Sequence, residues 1–169
     1  MGLFFPLMPR LLPRLLQHWR FTPSHGRRLF PASALRRFDS IIAEGAPRHR
    51  AHLKLAIEVA LPTRLILRDI STRSRACALL SQHGWHDAAD HCHILIYINL
   101  ADRQVEIVTD AAAASALIAA QWHGVCDRIT QGFSVGEPGS GIDAALNELN
   151  ALLEQAFPAL DHVAHQHRI

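Results

Sequence analysis

The sequence has little cysteine and no long hydrophobic stretch, and both absences narrow the class of protein. Only three cysteines occur in 169 residues, at Cys77, Cys92 and Cys126, far apart and within apolar segments. This odd number, without a Cys-x-x-Cys pair, argues against a zinc ribbon, a thioredoxin-type motif and a disulfide framework. We interpret the cysteines as reduced packing residues. No apolar run approaches the ~20 residues of a membrane-spanning helix, so we do not expect an integral membrane protein.

Acidic residues are absent from the first 38 positions, which carry seven arginines, and all 15 Asp and Glu lie further on. The formal net charge of +2 therefore hides a basic front and an acidic body. A basic segment can attract anionic lipid or nucleic acid, or lie on its own acidic domain. Because no nucleic-acid fold signature accompanies it, we expect no nucleic-acid partner, which leaves an anionic membrane surface or the domain itself.

The amino-terminal sequence, MGLFFPLMPR, also lacks the features of a secretory signal. Its positive charge follows the apolar stretch, and no small-residue cleavage site is present. Position 6 is proline, where a myristoylation signal would have Ser or Thr. We therefore expect a cytoplasmic protein, with a location at the periphery of the inner membrane as the alternative.

Length and composition predict one domain with two short extensions. Residues 1–29 form a basic arm interrupted by prolines, residues 30–160 form the domain, and residues 161–169 form a polar, histidine-rich tail. Because proline removes a backbone donor, we expect only a short helix in the arm, at about residues 13–19. The arm either packs a few leucines on the domain or enters a lipid surface. The lipid-facing residues would then be Phe4, Phe5, Leu11, Leu12 and Trp19.

The stretch from His91 to Asp110 organises the predicted fold. The apolar run Ile94–Leu100 is typical of a central strand covered on both faces, and the alternating segment after residues 101–103 predicts an antiparallel neighbour. Another alternating segment, His52–Leu61, predicts a strand with one apolar face. A helical pattern between these strands, from Ser71 to Gly84, predicts that they pair in parallel.

Further helices are predicted on either side of this sheet. One spans about Pro31–Glu44, a second begins after Asp110 and continues past Ile129, and the last spans Ile142–Phe157. The glycines between residues 132 and 141 predict a flexible loop. The predicted fold class is α/β, in which a mixed sheet contains a parallel βαβ unit and an antiparallel hairpin, with helices packed on both faces.

These segments resemble the TPM domain family, whose members include a thylakoid-lumen acid phosphatase and photosystem-repair proteins as well as small bacterial proteins. The resemblance rests on ILIYINLADRQVEIVTD, the helix with Trp122, the loop QGFSVGEPGSGI, the closing helix up to FPAL, and KLAIEVALP with Glu58. It spans about residues 30–160. The resemblance implies an α/β sandwich, and it implies phosphatase activity or calcium binding for some members.

Motifs of the small bacterial members are only partly present. In those proteins a sequence similar to HSGE precedes the first strand, one similar to NG precedes the second, and one similar to DRGI follows the third. In this sequence only His49 and Asp110 match these motifs. Where glycine is replaced by a larger residue, the backbone can no longer approach a ligand closely. Exchange of a carboxylate for imidazole favours zinc or another transition metal over calcium. The implied cofactor is therefore a divalent cation, calcium by resemblance or zinc-like by the histidine substitutions.

Candidate site residues fall at two ends of the predicted sheet. A strand of seven residues spans roughly 20 Å, so Asp102 and Asp110 cannot share a ligand. The richer end has a candidate metal set that consists of Asp110, Asp87, Asp90, His91, His93 and His52. The alternative is that these histidines line a solvated sheet edge. At the other end, Asp102 and Arg103 shape the hairpin turn, or Arg103 binds phosphate.

The sequence assigns no catalytic residue. Because the family motifs are degenerate, we expect a TPM-type accessory domain that is non-catalytic or weakly catalytic. One alternative is a metal-dependent, phosphatase-like hydrolase that uses Asp110 and the histidines. The other is a membrane-peripheral adaptor that uses the basic arm.

Overall fold

Three strands form the central sheet of the computed structural model, which describes residues 8–82 and 92–159. The strands are β1 (Ala51–Glu58), β2 (Cys92–Asn99) and β3 (Gln104–Thr109). The helices are α1 (Met8–Arg20), α2 (Pro23–Leu29), α3 (Ala32–Gly45), α4 (Thr63–Leu67), α5 (Thr72–Gln82), α6 (Ala111–Ala116), α7 (Ala119–Ser134) and α8 (Pro138–Ala156). None of these helices is both long and apolar enough to cross a bilayer.

The sheet has the order β1-β2-β3, with β1 parallel and β3 antiparallel to the central strand. In the parallel pair, Ala51 lies opposite Cys92 and Glu58 lies opposite Asn99. All eight residues of β2 are buried, as its continuous apolar sequence predicts for a strand covered on both faces. The predicted α/β class and mixed sheet are confirmed.

Helices cover the two faces of the sheet unequally. On one face, isoleucines of β2 pack in the larger core, to which α3, α7 and α8 contribute. On the other face, Leu95 and Tyr97 pack with Ala76 of α5. Because successive side chains of a strand point to opposite faces, the phenol of Tyr97 lies on the α5 side, where it needs a polar partner.

The predicted extents of one helix and of one strand are wrong. The single helix expected after Asp110 is two helices, because the backbone is extended at Leu117 and Ile118. The N–H of Ile118 donates to the side chain of Gln121 at 3.0 Å, which secures the start of α7. Apolar periodicity continues across this break and therefore conceals it. The first strand also ends at Glu58, three residues before the predicted end.

The glycine-rich segment is not the predicted flexible loop, since most of it belongs to α7 and α8. A Cβ atom on Gly132 would lie 2.7 Å from the Cα of Gly141. Glycine at both positions lets the two helices approach closely. Only Gly136, with φ of +82°, occupies a turn that requires the left-handed region.

The cysteines have three different environments. Cys92 is buried in β2, and burial raises its pKa to about 12. Cys126 is half-buried, and its pKa is also raised, mainly by burial. Cys77 is exposed, so its interpretation as a packing residue is wrong. It lies on the solvent side of α5, whose apolar pattern is weak.

The arm predicted for residues 1–29 contains two helices within its described part. Helix α1 is longer than the expected residues 13–19 and includes Pro13. Arg14 and His18 face the domain, whereas Leu12 and Leu16 are exposed. Leu12 and Leu16 therefore do not hold the arm on the domain, whereas Leu11 and Leu15 are half-buried; the hydrogen bonds from α1 to the domain come from polar side chains.

Candidate functional site

Two groups of polar side chains lie at opposite ends of the sheet. The amino-end cluster consists of Asp110, His93 and His52, where the parallel strands begin. The carboxyl-end cluster lies where these strands end and includes residues of α1 and α5. Its members are Glu58, Tyr97, Asn99, Asp102, Arg14, His18, Thr72 and Arg75.

At the amino end, Asp110 binds backbone and side-chain donors with both of its carboxylate oxygens. One oxygen accepts the N–H of Ala113 at 2.8 Å and caps α6. The other lies 2.8 Å from the backbone nitrogen and 3.0 Å from Nδ1 of His93. Burial raises the pKa of Asp110, but the hydrogen bonds from Ala113 and His93 outweigh it, so this pKa lies below its ordinary value.

His52 completes the amino-end cluster by stacking on His93. The two residues are paired neighbours in β1 and β2, and their ring centroids are 5.2 Å apart with 17° between the planes. The imidazole of His93 is buried, whereas that of His52 is exposed. The structure thus brings Asp110, His93 and His52 together at one rim of the sheet.

The other predicted ligands, Asp87, Asp90 and His91, lie outside the described residues, so the complete metal set stays a prediction. Within residues 8–82 and 92–159, no three His, Cys, Asp or Glu side chains form a group that could hold a metal. Calcium takes six to eight oxygen ligands. The described donors of the amino end, one engaged carboxylate and two imidazoles, do not fit calcium.

At the carboxyl end, Asp102 accepts hydrogen bonds from three side chains. Arg14 approaches as a bidentate fork, with Nε 3.0 Å from one oxygen and Nη2 2.9 Å from the other. His18 Nε2 lies 2.9 Å from Oδ1, and the hydroxyl of Thr72 donates to Oδ2 at 3.1 Å. Such paired, charge-assisted contacts are the strong class of protein hydrogen bonds. Helix α1 is therefore fixed to the hairpin turn through Asp102.

The orientation of His18 is set from both sides of its ring. The N–H of Leu61 donates to Nδ1 at 2.9 Å, so Nδ1 is an acceptor. The tautomer with its proton on Nε2 satisfies both this contact and the bond to Asp102. The ring is almost fully buried. Its contact with Leu61 links α1 to the segment after β1.

Glu58 forms the second half of the carboxyl-end cluster. Its oxygens accept from Arg75 at 2.5 to 3.2 Å, and one also accepts from the hydroxyl of Tyr97 at 2.5 Å. Asn99 connects the halves, since its Nδ2 lies 3.4 Å from the Tyr97 oxygen and its Oδ1 accepts the N–H of Asp102 at 2.9 Å. The sequence brings these groups together because β1 and β2 end side by side.

Both carboxylates of this cluster are ionised and paired. Burial raises the pKa of Asp102 and of Glu58, but the hydrogen bonds from Arg14 and Arg75 outweigh that effect and lower both pKa values. Burial and the neighbouring Glu58 raise the pKa of Tyr97. The hydroxyl therefore stays protonated and donates to Glu58.

Arg103 lies beside this cluster and lines a cavity of about 500 Å³. Phe21 and Phe133 are among the apolar lining residues. The backbone of Arg103 is left-handed, with φ of +53°, which suits its place in the hairpin turn. Its side chain is exposed and makes no hydrogen bond or ion pair with the described residues. The predicted phosphate contact remains a prediction.

Sequence reasoning missed most partners in the carboxyl-end cluster. Arg14 and His18 are four residues apart on one side of a helix, which indicates that they can grip one acceptor. Nothing in that spacing identifies Asp102, 88 residues beyond Arg14, as the acceptor. Arg75 and Thr72 similarly show no local pattern that names their partners.

The family model for the TPM domain matches residues 54–152, which is more than half of the chain. The chain belongs to the TPM domain family. The matched segment contains Glu58, Asp102 and Asp110, whereas Arg14 and His18 precede it. In this TPM domain, two side chains that donate hydrogen bonds to Asp102 therefore come from outside the matched segment.

A solved structure supports the same fold. The NMR structure of the BA42 protein from the psychrophilic bacterium Bizionia argentinensis is similar to 82% of this chain and 90% of its own, with a TM-score of 0.68 and 14% identity. No curated protein matches the sequence. At this identity the likeness establishes the TPM fold alone.

Proposed function

We propose that this TPM domain is a non-catalytic accessory module. The observation that carries the proposal is the bidentate contact of Arg14 with Asp102, reinforced by His18. A catalytic or metal-binding carboxylate needs an oxygen that can reach substrate, water or a cation. In Asp102 both oxygens already accept two hydrogen bonds each.

The remaining carboxylates of the two clusters support the same conclusion. Glu58 is paired with Arg75 and Tyr97, and Asp110 caps a helix while it holds His93. Each arrangement provides hydrogen-bond donors for a partly buried carboxylate, whose desolvation would otherwise be costly. We infer that these acids maintain the fold and that the module acts by binding.

A second candidate function is a metal-dependent phosphohydrolase at the amino end. It is favoured by one observation, the meeting of Asp110, His93 and His52 at one rim. If Asp87, Asp90 and His91 join them, imidazole and carboxylate ligands would suit a zinc-like ion. Such an ion would supply Lewis acidity toward a phosphoryl oxygen.

Hydrolysis of p-nitrophenyl phosphate distinguishes the two candidates. Untagged protein should give no turnover above background with calcium, magnesium, manganese or zinc, and metal analysis should find no stoichiometric ion. Turnover that requires one of these ions, is lost in Asp110→Asn and persists in Glu154→Gln would overturn the proposal. Circular dichroism of both variants establishes that each is folded.

A further inference from the structure

Helix α1 carries three of its large apolar side chains on the side away from the domain, whereas Leu11 and Leu15 are half-buried. Leu12, Leu16 and Trp19 are 54%, 58% and 62% exposed. Their spacing of four and three residues places them on one side of the helix. A surface helix of a globular protein normally buries its apolar stripe, so this orientation indicates another apolar environment.

The polar contacts of α1 explain this orientation. Arg14 and His18 bind Asp102, and the side-chain amide of Gln17 donates to the carbonyl of Ala101. Rotation of the helix to bury Leu12 and Leu16 would break these bonds and leave Asp102 with the hydroxyl of Thr72 but without the guanidinium of Arg14. The structure therefore holds the apolar side outward at the expense of ordinary packing.

Helix α4 extends the exposed apolar surface. The indole N–H of Trp19 lies 3.4 Å from the hydroxyl oxygen of Thr63, at the start of α4. Leu67, at the end of the same helix, is 61% exposed. We call Leu12, Leu16, Trp19 and Leu67 the apolar stripe.

Positive charges accompany the apolar stripe. Arg20 follows Trp19 in sequence, Arg64 belongs to α4 and Arg68 follows its last residue; all three are exposed. No acidic residue occurs in α1 or α2. Asp69, just after Arg68, is acidic, and its Oδ1 lies 3.8 Å from Nη1 of Arg14. An exposed apolar stripe with arginines beside it matches the chemistry of an anionic membrane surface.

We propose that the apolar stripe docks on an anionic lipid bilayer. The leucines and the indole enter the boundary between headgroups and acyl chains, and the three arginines contact lipid phosphates. A second copy of the chain fits less well, because a symmetric contact would bring like charges together. This partner is independent of catalysis, so a phosphatase measurement neither supports nor overturns it.

Vesicle sedimentation tests the proposal with the full chain. Vesicles of equal parts phosphatidylglycerol and phosphatidylcholine should bind the protein at low salt, and phosphatidylcholine alone should bind much less. High salt should weaken binding because it screens the arginines. Leu12→Ser and Leu16→Ser should each weaken vesicle binding about ten-fold, since each removes one apolar side chain that enters the bilayer.

Two other exposed apolar residues provide a matched control. Ile118 and Val135 are 68% and 66% exposed and flank α7, so they belong neither to α1 nor to α4. Ile118→Ser and Val135→Ser should leave vesicle binding unchanged. Equal losses in both pairs of variants, or no binding of the wild type to anionic vesicles, would overturn the proposal. So would a dimer in sedimentation velocity that only the α1 variants dissociate.

Discussion

The two ends of the sheet differ in how far along the chain their contacts reach. At the amino end, Asp110 binds residues 3 and 17 positions away. At the carboxyl end, Asp102 binds side chains 30, 84 and 88 positions away. Local contacts secure one helix start, whereas distant contacts join α1 and α5 to the sheet. Loss of an acid should therefore have a larger effect at the carboxyl end.

The largest effect is expected for Asp102→Ala. This change leaves Arg14 and His18 without their acceptor in a largely buried position, and we expect the free energy of unfolding to fall by about 3 kcal/mol. Urea denaturation measures this loss. Limited proteolysis should also show earlier cleavage within α1, because its connection to the hairpin is gone.

A matched control for this change is Glu154→Gln. Glu154 pairs with Arg48 at 3.0 Å, but both side chains are more than two-fifths exposed. Exposed pairs contribute little, so the free energy of unfolding should change by less than ~1 kcal/mol. Similar losses for Asp102→Ala and Glu154→Gln would show that the carboxyl-end cluster is no more than a surface ion pair.

Glu58→Gln is expected to have the next largest effect. The amide cannot accept the charge-assisted bonds of Arg75 as strongly, and it disturbs the hydroxyl of Tyr97. We expect a loss of about 2 kcal/mol in urea denaturation. Arg73→Gln is the comparison, because it removes the contact of the exposed Arg73 side chain with Glu106. This change should lower the free energy of unfolding only slightly. If Glu58→Gln leaves the free energy of unfolding unchanged, the contacts of Glu58 do not contribute to stability.

Acid should weaken the carboxyl-end cluster progressively. The pKa values of Asp102 and Glu58 are lowered in the folded protein from ordinary values of 3.8 and 4.5. Their contribution to stability is therefore present above those ordinary values and is lost as pH falls through the folded pKa values. Between about pH 5 and pH 2, the stability of Asp102→Ala should fall less steeply than that of the wild type. Parallel curves would contradict this linkage.

The difference between the ends also explains what the sequence could predict. The apolar run of β2, the hairpin and the start of a helix after Asp110 depend on neighbouring residues, and the structure confirms each of them. The contact between Arg14 and Asp102 depends on the packing of α1 against the far end of the sheet. Side-chain chemistry shows that they can pair, but no periodicity specifies that they do.

The break between α6 and α7 has a different physical cause. An apolar stripe reports which residues face the core and does not report whether the backbone between them is continuous. Leu117 is buried while its backbone is extended, so the stripe passes through the break unchanged. The close approach of Gly132 and Gly141 is similarly invisible, because glycine is equally typical of loops and of tight helix contacts.

The smallest effect is expected for Asp110→Ala, which tests whether the amino end is only a helix cap. Loss of a capping carboxylate costs about 1 kcal/mol. Asp110→Asn should retain the cap alone, since its one amide oxygen can still accept the N–H of Ala113, whereas its NH2 group cannot accept the N–H of His93. If both variants instead lose several times this amount, or if added zinc stabilises only the wild type, Asp110 does more than cap α6. The amino end would then hold a metal or ligand site in addition to the helix cap.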